Sequence, residues 1–356
     1  MVLHAHTTMA DMSTLLYFRH AKRHLALYAG PIGVALNLLL MWLVVKKSTP
    51  TMKSFKKVLL LTCLTDLTFS AMNIVFVLTL TVAGDTYFCI IEGVFGHLPP
   101  WLTFVGYDAF LYFVYASVSN NTVVVFYRYL VVCRSKTLNA CLFMCCMGIG
   151  WSLILSYIFA INYQFMTESA DPDIHSKLTA AGYPSNGSFH NYVSCRVNKL
   201  LGFSTYAAVP FTTIAYLAVI VMSFAVQRKF KRLSSLLNTE ERRFHNEITM
   251  ILWVEAVTPF ITVCLPIYYD ISKLIISNMP FNWFAEFIWL LTLIGPSFTA
   301  IFKLISIRAY RDYISKSIYG LFFKRKTTMN VVQISSSQHA QRSSVPKRRS
   351  NNVTVN

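Results

Sequence analysis

The sequence is short of charged residues. Asp, Glu, Lys and Arg make up only 13% of its 356 residues, whereas a soluble domain carries about 25%. Too few charged groups are present to cover a water-facing surface, which argues against a soluble enzyme. Glycine (13 residues) and proline (12) are also sparse while 55% of the chain is hydrophobic, so collagen and intrinsic disorder are excluded. A membrane protein remains.

Motifs for catalysis are absent as well. The sequence has no His-Glu-x-x-His motif, no glycine-rich phosphate loop and no serine between glycines, and its nine histidines are scattered. We therefore predict neither an enzyme nor a bound cofactor or metal. The first 23 residues lack the apolar core and cleavage site of a signal peptide, so the first membrane span would itself direct insertion.

Seven apolar runs are long enough to cross a bilayer as helices. They occupy residues 24–45, 58–82, 104–127, 139–162, 203–226, 248–269 and 284–306. These 164 residues contain only five Asp, Glu, Lys or Arg, and the rest of the chain holds the other 42. Such a sharp partition predicts an all-α membrane protein, a seven-transmembrane helix bundle.

The basic residues predict how this bundle is oriented. The connections on one side, together with the C-terminal segment, hold 24 Lys and Arg in 94 residues, and the opposite set holds 7 in 98. The positive-inside rule then places the N-terminus outside and the C-terminal tail in the cytosol. Arg19, Lys22 and Arg23 oppose this orientation. Cytosolic loops facing anionic lipid explain the net charge of +17 without nucleic acid as a partner.

Four regions follow from this pattern. Residues 1–23 are predicted as an extracellular segment and residues 24–306 as the bundle. Residues 307–323 alternate basic and apolar side chains, which is typical of a helix lying on the inner leaflet. Residues 324–356 form a basic, serine-rich tail that we expect to be disordered.

Polar residues recur at one depth in the inner half of the bundle, about 10–12 Å from the predicted cytosolic ends. They are Asn37, Asp66, Asn120 and Glu255. One interpretation is a polar layer that rearranges on activation, with Pro259 and Pro296 permitting kinks. The alternatives are hydrogen bonds that only join helices, or a proton or cation path through Asp66 and Glu255.

A second polar group is predicted near the outer ends of the spans. Asp108 and Glu286 could anchor a ligand there, because a binding pocket combines an aromatic body with a few polar groups. Tyr107, Tyr112 and Tyr268 would supply the aromatic part. The alternative is an ordinary belt of aromatic and polar residues at the membrane interface.

Basic residues mark the predicted cytosolic face. Arg128 is flanked by Tyr127 and Tyr129 where the third span meets the cytosol. It could hold neighbouring helices together or meet a partner, and its alternative is an interfacial anchor. The loop 227–247 adds basic pairs, which include Arg228, Arg242 and Arg243, for contact with an intracellular protein.

Two modifications are predicted on the outer side. Cys89 and Cys195 lie in polar connections there, where the oxidising secretory pathway favours a disulfide. Asn186 begins an Asn-Gly-Ser glycosylation acceptor in the same loop as Cys195.

These features together resemble a G-protein-coupled receptor. The polar Asn37 and Asp66, the aromatic-flanked Arg128 and a proline in the seventh span carry that resemblance. The stretch 31–73, which contains Lys-Ser-Thr-Pro before a basic loop, is similar to nematode serpentine chemoreceptors of the Srd or Str class. No acidic residue precedes Arg128, so the switch of rhodopsin-like receptors is not carried over.

The resemblance implies a receptor for a small odorant or pheromone-like molecule, located in the plasma membrane of a sensory cilium on a chemosensory neuron. It also implies a heterotrimeric G protein as partner, with arrestin-like proteins or another receptor as further candidates. The alternative is a ligand-gated odorant channel of inverted topology, and a transporter ranks third because no internal repeat is visible.

Overall fold

Helices dominate the computed structural model, which describes residues 9–47, 55–92, 99–167, 173–180, 192–233, 239–276, 282–317 and 319. Seven helical segments are long and apolar enough to cross a membrane, which confirms the predicted bundle. The helices are α1 (Met9–Lys46), α2 (Lys56–Val75), α3 (Pro100–Arg134), α4 (Ala140–Thr167), α5 (Ile174–Ala180), α6 (Val197–Phe203), α7 (Val209–Leu233), α8 (Thr239–Pro259), α9 (Leu265–Ile275) and α10 (Asn282–Ser306).

The fifth and sixth spans are each built from two helices. A π-helical turn, Ser204–Ala208, joins α6 to α7, and a second one, Phe260–Cys264, joins α8 to α9. Pro259 immediately precedes the second turn. Because proline cannot donate to the helical ladder, the hydrogen-bond register changes at this point, and π turns of this kind are frequent at functional sites.

The predicted second span, residues 58–82, is wrong in its outer part. Helix α2 ends at Val75, and β1 (Val77–Ala83) follows it. Alternating Leu and Thr before Gly84 and Asp85 fit a strand and hairpin better than a helix. Gly84, the first residue of the two-residue turn, has φ +64°, which matches a type II′ hairpin. The fold is therefore mostly helical rather than all-α.

A three-stranded antiparallel sheet covers one end of the bundle, called here the sheet end. Strands β1, β2 (Thr86–Glu92) and β3 (Tyr192–Arg196) pair in that order. Because alternate side chains point to opposite faces, Cys89 and Ile91 pack into the main core of the bundle, while Phe88 and Ile90 pack with α5. The sheet is thus a layer between the bundle and α5.

Helix α1 begins at Met9, so most of the predicted segment 1–23 is helical. The helix packs closely at Gly33, where an added Cβ would lie 2.5 Å from Ser70 Oγ of α2 and 3.0 Å from Ser297 Oγ of α10. A larger residue would displace these serine side chains, so Gly33 lets α1 lie close to both helices.

Residues 308–317 belong to a second compact unit and are helical. Arg308 Nε lies 3.3 Å from Asp312 Oδ2 across one turn of this helix. The remainder of the predicted 307–323 helix, apart from Tyr319, and the predicted tail 324–356 fall outside the described residues.

Candidate functional site

Four ionisable side chains form a continuous line at the end of the bundle opposite the sheet. Glu255 of α8 lies between two cations, with Arg128 Nη2 of α3 at 2.8 Å and Lys303 Nζ of α10 at 3.0 Å. Lys303 Nζ is also 4.0 Å from Asp66 Oδ2 of α2. We call these four residues the charged chain. It joins four helices.

The charged chain is electrically balanced, and three of its four members are buried, whereas 22% of the Asp66 side chain is exposed. Only 1% of Arg128, 1% of Lys303 and 4% of Glu255 is exposed. Two acids alternate with two bases, so each charge removed from solvent has a neighbour of opposite sign. Taking away one member would leave a buried charge without compensation, which costs about 3–5 kcal/mol.

The acid Glu286 of α10 lies in a second ionic cluster at the sheet end. Arg19 Nε approaches its Oε1 and Lys22 Nζ its Oε2, both at 3.2 Å. Arg19 also donates to Thr81 Oγ1 of β1 at 3.0 Å. Both cations come from α1 and are buried, so this cluster clamps α1 to α10 and to the sheet.

A cavity of about 60 Å³ lies between the sheet and the bundle interior. Leu80 and Tyr87 of the sheet line it, together with residues of helices α3, α4, α6, α9 and α10. Its lining includes six aromatic residues, namely Tyr87, Tyr107, Phe110, Tyr115, Tyr157 and Trp289. Aromatic side chains therefore make up much of the lining, and the sheet forms one wall of the cavity.

Among the described residues, one carboxylate lines this aromatic cavity. Asp270 of α9 accepts a hydrogen bond from Trp289 Nε1 of α10, with 2.8 Å between Nε1 and Oδ2. A carboxylate has two oxygens and about four lone-pair sites. Asp270 is thus oriented by Trp289 and keeps acceptor capacity for a molecule in the cavity.

The family of this chain is identified by its similarity to known proteins. The sequence profile described as "Serpentine type 7TM GPCR chemoreceptor Srd" matches residues 25–316. The chain belongs to this family of serpentine chemoreceptors. It is a multi-pass membrane receptor and not an enzyme.

A solved structure agrees with this assignment at the level of the fold. The crystal structure of squid rhodopsin is similar to the receptor over 86% of this chain and 87% of its own, with a TM-score of 0.51 and 11% sequence identity. No curated protein matches the receptor in sequence.

The residues predicted as one polar layer fall into separate groups in the receptor. Asp66 and Glu255 meet through Lys303 in the charged chain. Asn37 instead donates to Gly33 O of its own helix at 2.9 Å and to Pro296 O at 3.4 Å.

Asn120 of α3 forms a further group that joins three helices. Its Nδ2 donates to Thr65 Oγ1 of α2 at 2.8 Å, and its Oδ1 accepts from Trp151 Nε1 of α4 at 3.0 Å. The side-chain hydrogen bonds of Asn37 and Asn120 hold helices in position, whereas the carboxylates of Asp66 and Glu255 belong to the charged chain.

Most residues predicted to contact a ligand lie away from the cavity. Tyr107 lines it, but Asp108, Tyr112, Tyr268 and Glu286 do not. Asp108 Oδ2 accepts from Asn162 Nδ2 at 2.7 Å, and Tyr268 Oη shares a 2.7 Å hydrogen bond with Thr213 Oγ1. Helical spacing gave the depth of these side chains but not the direction in which they point.

The predicted partner-binding residues differ in accessibility. Arg128 and Tyr127 are buried, and Tyr127 packs edge-on against Phe143 with 5.5 Å between the ring centroids. Arg228 and Arg242 are exposed. Arg243 lies in α8, but its side chain is outside the described part of the receptor.

Cys89 and Cys195, both in the described part of the chain, are not joined by the predicted disulfide. They lie on paired strands, but Cys89 is opposite Val193 and Cys195 is opposite Tyr87. The two cysteines are therefore diagonal neighbours. A diagonal spacing is longer than a disulfide spans without backbone movement. Burial raises the pKa of the Cys89 thiol, which disfavours the reactive thiolate. Asn186 lies outside the described residues.

Among the ionisable residues of the charged chain and the cavity, sequence reasoning missed two. Lys303 is the single basic residue inside the predicted seventh span, and an ionisable group within a span indicates a functional site. That signal was available. Asp270 was missed because the predicted sixth span ended at residue 269, one position before it, whereas α9 continues to Ile275.

Proposed function

We propose that the receptor detects a small molecule outside the cell and signals to a heterotrimeric G protein, in the plasma membrane of a chemosensory cilium. The observation that carries this proposal is the charged chain, which joins α2, α3, α8 and α10 around the buried Arg128. In this arrangement, the end of the bundle that would meet the G protein is closed.

The orientation that this function needs has the sheet end outside. The distribution of Lys and Arg favours it, and the clamp removes the main objection. Arg19 and Lys22, which would draw the N-terminus inward, are buried against Glu286 and are therefore locally compensated.

The sixth span provides a physical link between the two sites. Asp270 lines the cavity from α9, and Glu255 belongs to the charged chain about one turn before Pro259 on α8. The π turn after Pro259 lies between them, and Thr262 O of that turn accepts a hydrogen bond from Thr292 Oγ1 of α10. A ligand that displaces α9 at this turn would shift Glu255 away from Arg128 and favour the open state.

Opening would satisfy atoms that the closed state leaves without partners. Within the described part of the chain, Arg128 Nε and Nη1 are buried without a hydrogen-bond acceptor. A buried donor without a partner costs about 1–3 kcal/mol. Contact with water or with a carbonyl group of the G protein would recover this free energy.

The test compares basal signalling of two variants at equal surface expression. Glu255→Gln weakens the attachment of Arg128 to α8, so we expect basal G-protein activation to rise several-fold, measured as nucleotide exchange on membranes. Arg128→Ala should abolish activation. Asp108→Asn is the matched control, since this carboxylate bonds Asn162 outside the charged chain. Unchanged activation in both test variants would overturn the proposal.

A tag on the C-terminal tail tests the orientation separately. We expect antibody staining only after permeabilisation of the cells. Staining of intact cells would place the charged chain outside and would favour the channel of inverted topology.

A further inference from the structure

The cavity lining combines aromatic rings with one negative charge. Asp270 is its acid, and none of the described residues that line the cavity is basic. Lys273 follows Asp270 by about one turn of α9 and interacts electrostatically with it, but it is not part of the lining. Arg19 and Lys22, which also lie at the sheet end, are bound to Glu286.

We propose that this cavity binds a small organic ammonium ion, with Asp270 as its counter-ion. This proposal names the ligand class of the site and rests on the proposed receptor function. An ammonium group fits both parts of the lining, because it forms a charge-assisted hydrogen bond with the carboxylate and is attracted to the faces of aromatic rings.

Trp289 supports the assignment through its position. Its indole donates to Asp270 Oδ2, which turns the carboxylate in a fixed direction. Trp289 and Phe110 also lie against one another, with 5.6 Å between ring centroids. The anion is therefore presented among rings that bind a cation but offer little to a second anion.

The size of the cavity limits the ligand. Its volume of about 60 Å³ is well below the roughly 150 Å³ of an engineered cavity that accommodates benzene. We therefore choose isopropylamine as the probe, with its uncharged isostere 2-propanol as the comparison. The two molecules have the same shape, so a difference between them reports the charge.

The experiment measures binding by the purified full-length receptor in lipid nanodiscs at pH 7, without G protein. Isopropylamine should raise the thermal unfolding midpoint in a concentration-dependent way, and 2-propanol should not. Asp270→Asn should weaken amine binding at least about 10-fold. Asp108→Asn, which removes a carboxylate at the same end but outside the cavity, should retain it.

Three outcomes would overturn the proposal. They are absence of amine binding by the unaltered receptor, equal binding of the alcohol, and full amine affinity in Asp270→Asn. If Asp270→Asn does not fold, Asp270→Glu replaces it, and the longer side chain should lower amine affinity because it fills part of the cavity. Since the assay contains no G protein, its failure is separable from failure of the signalling experiment.

Discussion

The two ends of the bundle bury charge in different ways. At the sheet end, two cations from one helix hold the carboxylate of Glu286. At the opposite end, single charges from four helices alternate along a line. The clamp survives as long as α1 and α10 stay together, whereas the charged chain depends on four helices at once. The clamp is thus suited to a permanent joint and the charged chain to a movable one.

The largest effect is expected from Lys303→Met in the charged chain. Methionine has a similar length but no charge, so Glu255 and Asp66 lose the cation between them. We expect the receptor to be destabilised by about 3–5 kcal/mol, measured as a lower thermal unfolding midpoint in detergent.

A double variant supplies the control for Lys303. Adding Asp66→Asn to Lys303→Met removes the excess negative charge and leaves the neutral pair of Arg128 and Glu255. The double variant should be more stable than Lys303→Met alone, since neighbouring charges do not contribute additively. A double variant that is less stable would show that alternation of charge is not what holds this end.

Glu286→Gln breaks the clamp and should have a smaller effect. Two buried cations lose their counter-ion, but the long Arg19 and Lys22 side chains can extend toward headgroup water. We expect a destabilisation of about 2–3 kcal/mol in the same thermal assay. Basal signalling should not rise, because Arg128 keeps its partner.

This result would sharpen the contrast between the ends. Glu255→Gln is expected to raise basal signalling. Glu286→Gln is expected to lower stability and to leave basal signalling unchanged. If Glu286→Gln also activates the receptor, the clamp is part of the switch and the two ends are not functionally distinct.

The smallest effect is expected from Lys177→Ala at the outer surface of the sheet. Lys177 Nζ of α5 lies 2.7 Å from Asp85 Oδ1 in the hairpin turn, and its hydrogen bond lowers the pKa of Asp85. Asp85 is largely exposed, and such pairs contribute only about 0.2–1 kcal/mol. The variant should increase amide exchange in α5 and leave the bundle unchanged.

The same pair makes a pH dependence testable. Because the pKa of Asp85 is lower in the folded protein than in the unfolded chain, its contribution is present above about pH 4 and is lost as the pH falls further. Protection of α5 should decline in that range in the unaltered receptor and stay low at all pH values in Lys177→Ala. Equal decline in both would assign the effect to another group.

The membrane spans could be predicted from the sequence because a run of about 20 apolar residues has few structures available other than a membrane-spanning helix. Hydropathy did not reveal the strand at residues 77–83, because the apolar side chains of the preceding helix continue into it without a change in hydropathy. A search for alternation around Gly84 and Asp85 would have separated the two, since a strand repeats every second residue.

The sites were harder to predict because contact depends on direction as well as depth. Asp66 and Glu255 were expected at one level, but the cation that joins them, Lys303, belongs to a third helix. Glu286 was expected in a pocket, and its true partners lie in the N-terminal helix, more than 260 positions away. A single sequence contains no signal for such pairings.

The sheet also bears on how quickly a bound molecule would leave the cavity. Leu80 and Tyr87 form part of the cavity wall. The strands that carry them are paired with their neighbours through backbone hydrogen bonds. For the ammonium ligand proposed above, these strands form one wall of the binding site, and separation of this wall from the helices is one route by which the ligand would leave. We therefore expect substitutions in the hairpin turn to change the dissociation rate of that ligand while Asp270 and Trp289 stay in place.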